Sequence, residues 1–130
     1  MRLLLDTQAF LWLTSAPTRF SEETRGILAD ADNFLFLSAA SSWEIAIKYA
    51  TGKLPLPIEP NQYVLSRMLR HSVLGLAIEH RHALRVATLP TLHRDPFDRM
   101  LVAQAELEDM PLVTADRHLG EYGIPVVHAG

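Results

Sequence analysis

Four acidic residues stand where a carboxylate could take part in chemistry. They are Asp6, Glu44, Asp98 and Asp116. The first and the last directly follow the apolar runs Leu3–Leu5 and Leu112–Thr114, and the other two fall in the first turns of predicted helices. In open α/β sheets, ligands bind outside the carboxyl ends of the strands. Carboxylates gathered there would repel one another unless a cation lay between them, and Mg²⁺ or Mn²⁺ prefers such oxygen ligands. The pattern predicts a small metal-dependent enzyme.

Each acid also has a purely structural explanation. Asp6 and Asp116 can cap the turns that follow them, since Asp is among the best N-cap residues. Ser41–Glu44 fits a capping box, and Glu44 can pair with Lys48 one helical turn later. Asp95–Asp98 places acids where a helix dipole favours them. Taken singly, capping is the stronger interpretation, but acids at all of these junctions together favour a site.

The elements that must position these acids alternate along the chain. Apolar runs predict strands over residues 2–5, 34–37, 73–78, 112–114 and 124–127. Helical periodicity, caps and prolines predict helices over residues 7–14, from 21, from 41 to about 50, from 60, over 79–87 and over 95–109, with a helical turn at 117–122. Strands that are continuous apolar runs indicate a parallel sheet covered on both faces. We therefore expect an α/β fold, a three-layer α/β/α sandwich with a mostly parallel central sheet, formed by residues 1–130 as one domain.

Composition narrows the function classes. The chain has 130 residues, a formal net charge of −3 and no cysteine, which excludes disulfides, thiolate zinc sites and cysteine nucleophiles. No apolar run approaches the length needed to cross a bilayer, so we expect a soluble protein without membrane contact, and the absence of cysteine fits a reducing cytoplasm. A hydrophobic fraction of 48% favours a surface that is buried against a partner.

Four segments carry a resemblance to a known family. They are Leu3–Thr7, Ser38 with Glu44 and Ile45, His93–Leu101 and Thr114–Asp116. In order and spacing they resemble the successive motifs of PIN-domain proteins, and more narrowly those of the VapC-type toxins of toxin–antitoxin pairs. The similarity covers essentially the whole chain, and the stretch Arg94–Arg99 is its most specific part.

The resemblance implies a ribonuclease that uses Mg²⁺ or Mn²⁺ to hydrolyse RNA phosphodiester bonds, in several VapC toxins those of tRNA or ribosomal RNA. It assigns the catalytic quartet to Asp6, Glu44, Asp98 and Asp116. Asp6 and Asp98 match the usual direct metal ligands of the family, Asp116 matches a ligand that binds directly or through water, and Glu44 matches the acid that orients the metal-bound water. Thr7, Asp95 and Thr114 are the supporting residues. The expected product ends are a 5′-phosphate and a 3′-hydroxyl.

The resemblance also implies partners. VapC-like proteins are neutralised by a cognate antitoxin, and they form homodimers or hetero-oligomers with it. Arg94, Arg99 and Arg117 lie near the acids in sequence and are candidates for contact with RNA phosphates, although pairing with neighbouring Asp residues explains them equally well. His93 could touch RNA, but a surface histidine is the commoner case, and we expect Trp43 to lie in the core.

Three alternatives were weighed against this interpretation. A receiver-type phosphoacceptor domain needs a lysine after its last strands, and the last lysine here is Lys53, so that class is excluded. A catalytically silent module of the same fold, binding RNA or protein without turnover, stays open. So does a nuclease directed at DNA.

Overall fold

The sheet of five parallel strands is the centre of the molecule. The computed structural model describes all residues from Met1 to Gly130. The strands are β1 (Arg2–Leu5), β2 (Phe34–Ser38), β3 (Val73–Leu76), β4 (Leu112–Thr114) and β5 (Val126–His128). Their order across the sheet is β3-β2-β1-β4-β5, and every neighbouring pair is parallel. This arrangement confirms the predicted α/β sandwich with a parallel sheet.

Helices connect the strands and cover both faces of the sheet. They are α1 (Thr7–Ser15), α2 (Glu22–Ala29), α3 (Ala39–Ala50), α4 (Pro60–Arg70), α5 (His80–Val86) and α6 (Pro96–Glu108). Short 3-10 segments lie at Pro17–Arg19 and Arg117–Tyr122. None of these helices has both the length and the apolar character needed to cross a membrane.

The order in which successive strands are added to the sheet changes side at β1. The chain first builds β2 and β3 on one side of β1 and later adds β4 and β5 on the other. In the pairing with β4, Leu4 lies beside Leu112 and Leu5 beside Val113. The residues that follow β1 and β4 therefore emerge side by side, at the strand ends where open sheets bind ligands.

Alternation along β1 divides the interior into two cores. Leu3 and Leu5 pack with Phe10 of α1 and Val64 of α4 on one face of the sheet. Leu4 points to the opposite face, with Leu101, Val102 and Leu119. Because β1 is apolar on both faces, its position in the middle of the sheet follows from its sequence.

Two expectations about α3 are wrong. Its N-cap is Ser38, whose side chain accepts a hydrogen bond from the Ala40 amide, so the helix begins before the predicted Ser41 and no capping box joins Ser41 to Glu44. Trp43 is 61% exposed rather than in the core. Its ring packs edge-on against Phe97, with the ring centroids 5.3 Å apart, on the outer side of the helix pair.

Candidate active site

The four predicted acids converge on one cavity at the carboxyl ends of the strands. Asp6, Glu44, Asp98 and Asp116 all line it, and Asp95 adds a fifth carboxylate. The cavity has a volume of about 500 Å³. Residues up to 110 positions apart in sequence thus share one pocket.

Asp6 has both of the roles considered for it. It is the N-cap of α1, and its Oδ1 accepts a hydrogen bond of 2.7 Å from the Ala9 amide. The side chain is almost fully buried. Its pKa is raised to about 6: burial is the largest cause, the charges of Glu44 and Asp116 add to it, and hydrogen bonds from Thr114 and Ala9 act against it. The cap fixes the carboxylate in place in the lining of the cavity.

Glu44 is held by side chains instead of by a helix cap. Thr7 donates a hydrogen bond of 2.6 Å to Glu44 Oε1, and the Thr7 hydroxyl also lies 2.9 Å from Ser41 Oγ. Lys48 donates to the other oxygen, Oε2, at 2.6 Å. Both carboxylate oxygens of Glu44 are therefore oriented, and the hydrogen bond from Thr7 connects α1 to α3.

Asp95 and Asp98 divide two roles at the start of α6. Asp95 is the N-cap, and its Oδ1 accepts from the Phe97 amide at 2.8 Å and from the Asp98 amide at 3.3 Å. This leaves Asp98 free to face the cavity. Burial first, and then the charges of Asp95 and Asp6, raise the pKa of Asp98 to about 7, against the lowering effect of His93.

His93 connects Asp98 and Asp116. Its Nε2 lies 3.1 Å from Asp116 Oδ2 and 3.7 Å from Asp98 Oδ2. Its Nδ1 accepts a hydrogen bond from the Asp95 amide, so in the neutral ring the proton resides on Nε2. His93 therefore donates to Asp116 and orients it. Direct ligation of a metal by Nε2 would move that proton to Nδ1 and break the bond from Asp95.

The same tautomer argument applies to a second cluster away from the cavity. Glu79, His82 and Glu108 also bring possible ligand atoms within 4.8 Å of one another. There the Glu79 amide donates to His82 Nδ1, which leaves Nε2 as the donor to Glu108. Arg81 already pairs with both carboxylates, at Glu79 and at Glu108. This cluster ties α5 to α6 and is a structural ion-pair network.

The donor set in the cavity fits a hard divalent cation. Its ligand candidates are all carboxylate oxygens, and the set matches what Mg²⁺ or Mn²⁺ binds. The raised pKa values of Asp6 and Asp98 point the same way, since their charged forms are disfavoured until a cation offsets them. Asp6, Asp98 and Asp116 would hold the ion, with Glu44 beside them.

Three supporting residues predicted from the sequence contact the acids. Thr7 binds Glu44, Asp95 caps the helix that carries Asp98, and Thr114 donates to Asp6. The Thr114 hydroxyl also accepts from the Asp116 amide at 3.0 Å. One buried hydroxyl thus joins the two acids that follow adjacent strands.

The predicted arginines lie outside the lining of the cavity. Arg99 donates to the carbonyls of Pro90 and Val86 and contacts the Tyr122 hydroxyl, which secures the loop before α6. Arg94 and Arg117 are exposed at the rim and take part in none of the ion pairs. The cations that do line the cavity are Lys48 and Lys53.

Sequence reasoning missed several of these contacts. It treated Lys48 as a helix ion-pair partner only, gave Lys53 no role at the site, and favoured a surface role for His93. No sequence motif identifies His93 or the two lysines, because their contacts with the acids depend on how distant segments pack together. A histidine and lysines close to motif acids were the available signal.

Comparison with known proteins agrees with this geometry. The family model described as PIN domain matches residues 3–125. Ribonuclease VapC16 of Mycobacterium tuberculosis (strain ATCC 25618 / H37Rv) is 50% identical over 60 residues, 46% of this chain and 43% of the relative. The chain therefore matches less than half of that relative's length.

Solved structures share the fold at low sequence identity. VapBC2 from Rickettsia felis, bound to a DNA fragment from its promoter, superposes with a TM-score of 0.76 at 18% identity, covering 100% of both chains. VapBC-1 from nontypeable Haemophilus influenzae superposes with a TM-score of 0.67 at 17% identity, covering 98% of both chains. These likenesses concern the fold.

Proposed function

The chain belongs to the PIN domain family, and on this premise we propose that it is a metal-dependent endoribonuclease toxin of the VapC type. The observation that carries the proposal is the convergence of Asp6, Glu44, Asp98 and Asp116 on one cavity. A binding module without turnover would have no need to hold two acids with raised pKa values beside two others. The reaction is hydrolysis of an RNA phosphodiester bond.

Some of the site residues bind the metal, and others orient the attacking water or a neighbouring carboxylate. Asp6, Asp98 and Asp116 are the metal ligands, and Mg²⁺ or Mn²⁺ bound there supplies Lewis-acid stabilisation of charge at phosphorus. Glu44 orients the attacking water from the side of the cavity that Thr7 and Lys48 fix. His93 keeps the Asp116 carboxylate turned inward. We expect in-line attack and products with 5′-phosphate and 3′-hydroxyl ends.

The proposed substrate and partner follow from the relatives. The partial match to a protein named ribonuclease supports RNA, and we propose tRNA or ribosomal RNA in the cytoplasm. Structural neighbours include toxin–antitoxin complexes, one of them from Klebsiella pneumoniae, which supports a cognate antitoxin as partner. Exposed large apolar side chains such as Leu65, Leu69 and Leu84 offer surface for that partner or for a second copy of the chain.

Cleavage by the purified protein tests the proposal. Bulk tRNA and ribosomal RNA are incubated with Mg²⁺, with Mn²⁺ and with EDTA, and product ends are mapped by their sensitivity to a 5′-phosphate-dependent exonuclease. We expect cleavage that EDTA abolishes and that returns with either ion. The same assay with single-stranded and duplex DNA separates a DNA-directed nuclease from a ribonuclease.

The matched control is Glu106→Gln, an exposed acid paired with Arg85 far from the cavity. It should cleave like the parent, whereas Asp98→Asn should not. Cleavage that persists in EDTA, or that Asp98→Asn retains, would contradict the proposal. Binding of RNA without turnover under all metal conditions would establish the silent module instead.

A further inference from the structure

The cavity that holds the acids also holds all the lysines of the protein. The chain has 12 basic residues, of which only Lys48 and Lys53 are lysines. Both line the cavity, and no arginine does. They share the lining with Gln8, Leu11 and Leu54, and Lys48 pairs directly with Glu44. The lining of the cavity is therefore mainly acidic but includes two cations.

Lys48 is held in place by Glu44 but is not buried by it. Its Nζ lies 2.6 Å from Glu44 Oε2, yet about half of the side chain stays open to solvent (46% exposed). An ammonium group has three donor hydrogens. One is directed at Glu44, so the others can meet an anion that enters the cavity.

Lys53 is fixed in the same place by the backbone. Helix α3 ends at Ala50, and Gly52 takes a left-handed φ of 74°, which turns the chain back. The amides of Lys53 and Leu54 then both donate to the Lys48 carbonyl, at 2.9 and 3.1 Å. The side chain of Lys53 is exposed and joins none of the ion pairs, so its charge is uncommitted.

We propose that Lys48 and Lys53 form a binding site for an RNA phosphate next to the phosphodiester that is cleaved. The inference rests on the proposed ribonuclease function and goes beyond it by assigning the substrate contact to residues that no motif marks. Five carboxylates line the cavity and repel RNA, and the two lysines are the cations of the lining that can attract a phosphate. Because Lys48 pairs with Glu44, a phosphate bound by Lys48 lies beside that acid.

The test measures RNA binding as a function of salt. Affinity of a mixed-sequence, single-stranded oligoribonucleotide is measured by fluorescence anisotropy in the Asp98→Asn background, which prevents cleavage. Each phosphate contact contributes about 0.7 to the slope of log K against log salt for single strands. We expect Lys53→Gln to reduce the slope by about 0.7, Lys48→Gln to reduce it similarly, and the Lys→Arg changes to restore it.

Steady-state kinetics in the otherwise unchanged protein separate binding from positioning. Lys53 touches no acid, so Lys53→Gln should raise KM and leave kcat within about twofold. Lys48→Gln should change both constants, because Glu44 also loses its partner. Arg70→Gln, an exposed cation on α4 outside the cavity, is the control and should change neither constant.

The outcomes distinguish this inference from the function on which it rests. If the parent cleaves RNA but both lysine variants keep its KM and its salt slope, the lysines do not bind the substrate and the inference is wrong. If neither the parent nor Arg70→Gln cleaves RNA under any metal condition, the proposed function itself fails.

Discussion

Two carboxylates of the site, those of Asp6 and Asp98, have clearly raised pKa values. Asp6 is 6% exposed and has its pKa raised to about 6, and Asp98 has its pKa raised to about 7. Burial is the first cause for both, and neighbouring acids add to it. Near neutral pH, ionisation of these two carboxyl groups in the metal-free site is therefore less favourable than in water. A divalent cation in the cavity would relieve this, whereas capping does not explain why these acids lie together.

Asparagine substitutions separate capping from ligation at these residues. Asp6→Asn keeps a good N-cap, and Asp98→Asn leaves the cap at Asp95 intact, so metal-free stability at pH 8 should equal or exceed that of the parent. Loss of residues around metal ligands commonly costs 10–100-fold, so loss of a ligand should lower cleavage more than about a hundredfold. Thermal unfolding and cleavage rates check both parts. Variants that unfold readily, or that stay active, would contradict the assignment.

The raised pKa values also predict how pH acts on metal-free stability. An acid whose folded pKa is raised contributes stability below its unfolded value near 3.8, and that contribution is lost as pH rises through about 6 and 7. Unfolding in EDTA should show this decline between pH 4 and 8. His71, whose pKa burial lowers, acts in the opposite direction. The measured quantity is therefore the difference between the parent and the Asp6→Asn/Asp98→Asn double variant, and a difference independent of pH would contradict the prediction.

At the scale of elements, three of the cavity acids lie at the starts of helical segments. Asp6, Asp95 and Asp116 each cap the segment that follows, and their side chains accept from amides two or three residues on. The sequence predicted these caps because Asp after an apolar run or before Pro has few other local roles. It wrongly predicted that Ser41 opens α3. Ser38 and Ser41 are both acceptable caps, and only the end of β2 decides between them.

The cap at Asp95 gives a prediction at this scale. Asp95→Ala should lower the free energy of unfolding by about 1 kcal/mol, because the Phe97 and Asp98 amides lose their acceptor, whereas Asp95→Ser should retain most of the stability. Both changes remove the charge beside Asp98 and should lower its pKa. Denaturant unfolding measures the first effect, and carboxyl NMR of the metal-free protein measures the second. Equal stability of the two variants would rule out the cap.

At the scale of the molecule, the change in strand order at β1 brings distant acids together, because β4 is added beside β1. Asp6 and Asp116 follow adjacent parallel strands, and α3 and α6 supply Glu44 and Asp98 from the two sides. The alternation of strands and helices in the sequence predicted the three-layer fold, and it predicted that the acids lie at the carboxyl ends of the strands. It could not predict that Trp43 stays exposed, because this depends on its packing against Phe97, far away in sequence. The turn that folds Lys53 back beside Lys48 is local, but its place in the cavity depends on the other elements that form the lining.

Because the ligands come from separate parts of the fold, metal binding should stabilise the whole molecule. An ion that binds only the folded state at a hundred times its Kd adds about 2.7 kcal/mol. Unfolding of the parent should therefore shift with Mg²⁺ or Mn²⁺ concentration, while Asp98→Asn should respond weakly. Calorimetric scans across a metal titration measure this. The same shift in the parent and the variant would place the ion elsewhere.

The most direct test of the account is to locate the ion. Crystals of the protein grown with Mn²⁺ can be measured at the manganese absorption edge, where anomalous difference density marks the metal. The account predicts density in the cavity, within ligand distance of Asp6, Asp98 and Asp116, and none at Glu79, His82 and Glu108. Density only at the latter cluster, or none in the cavity at saturating Mn²⁺, would contradict it.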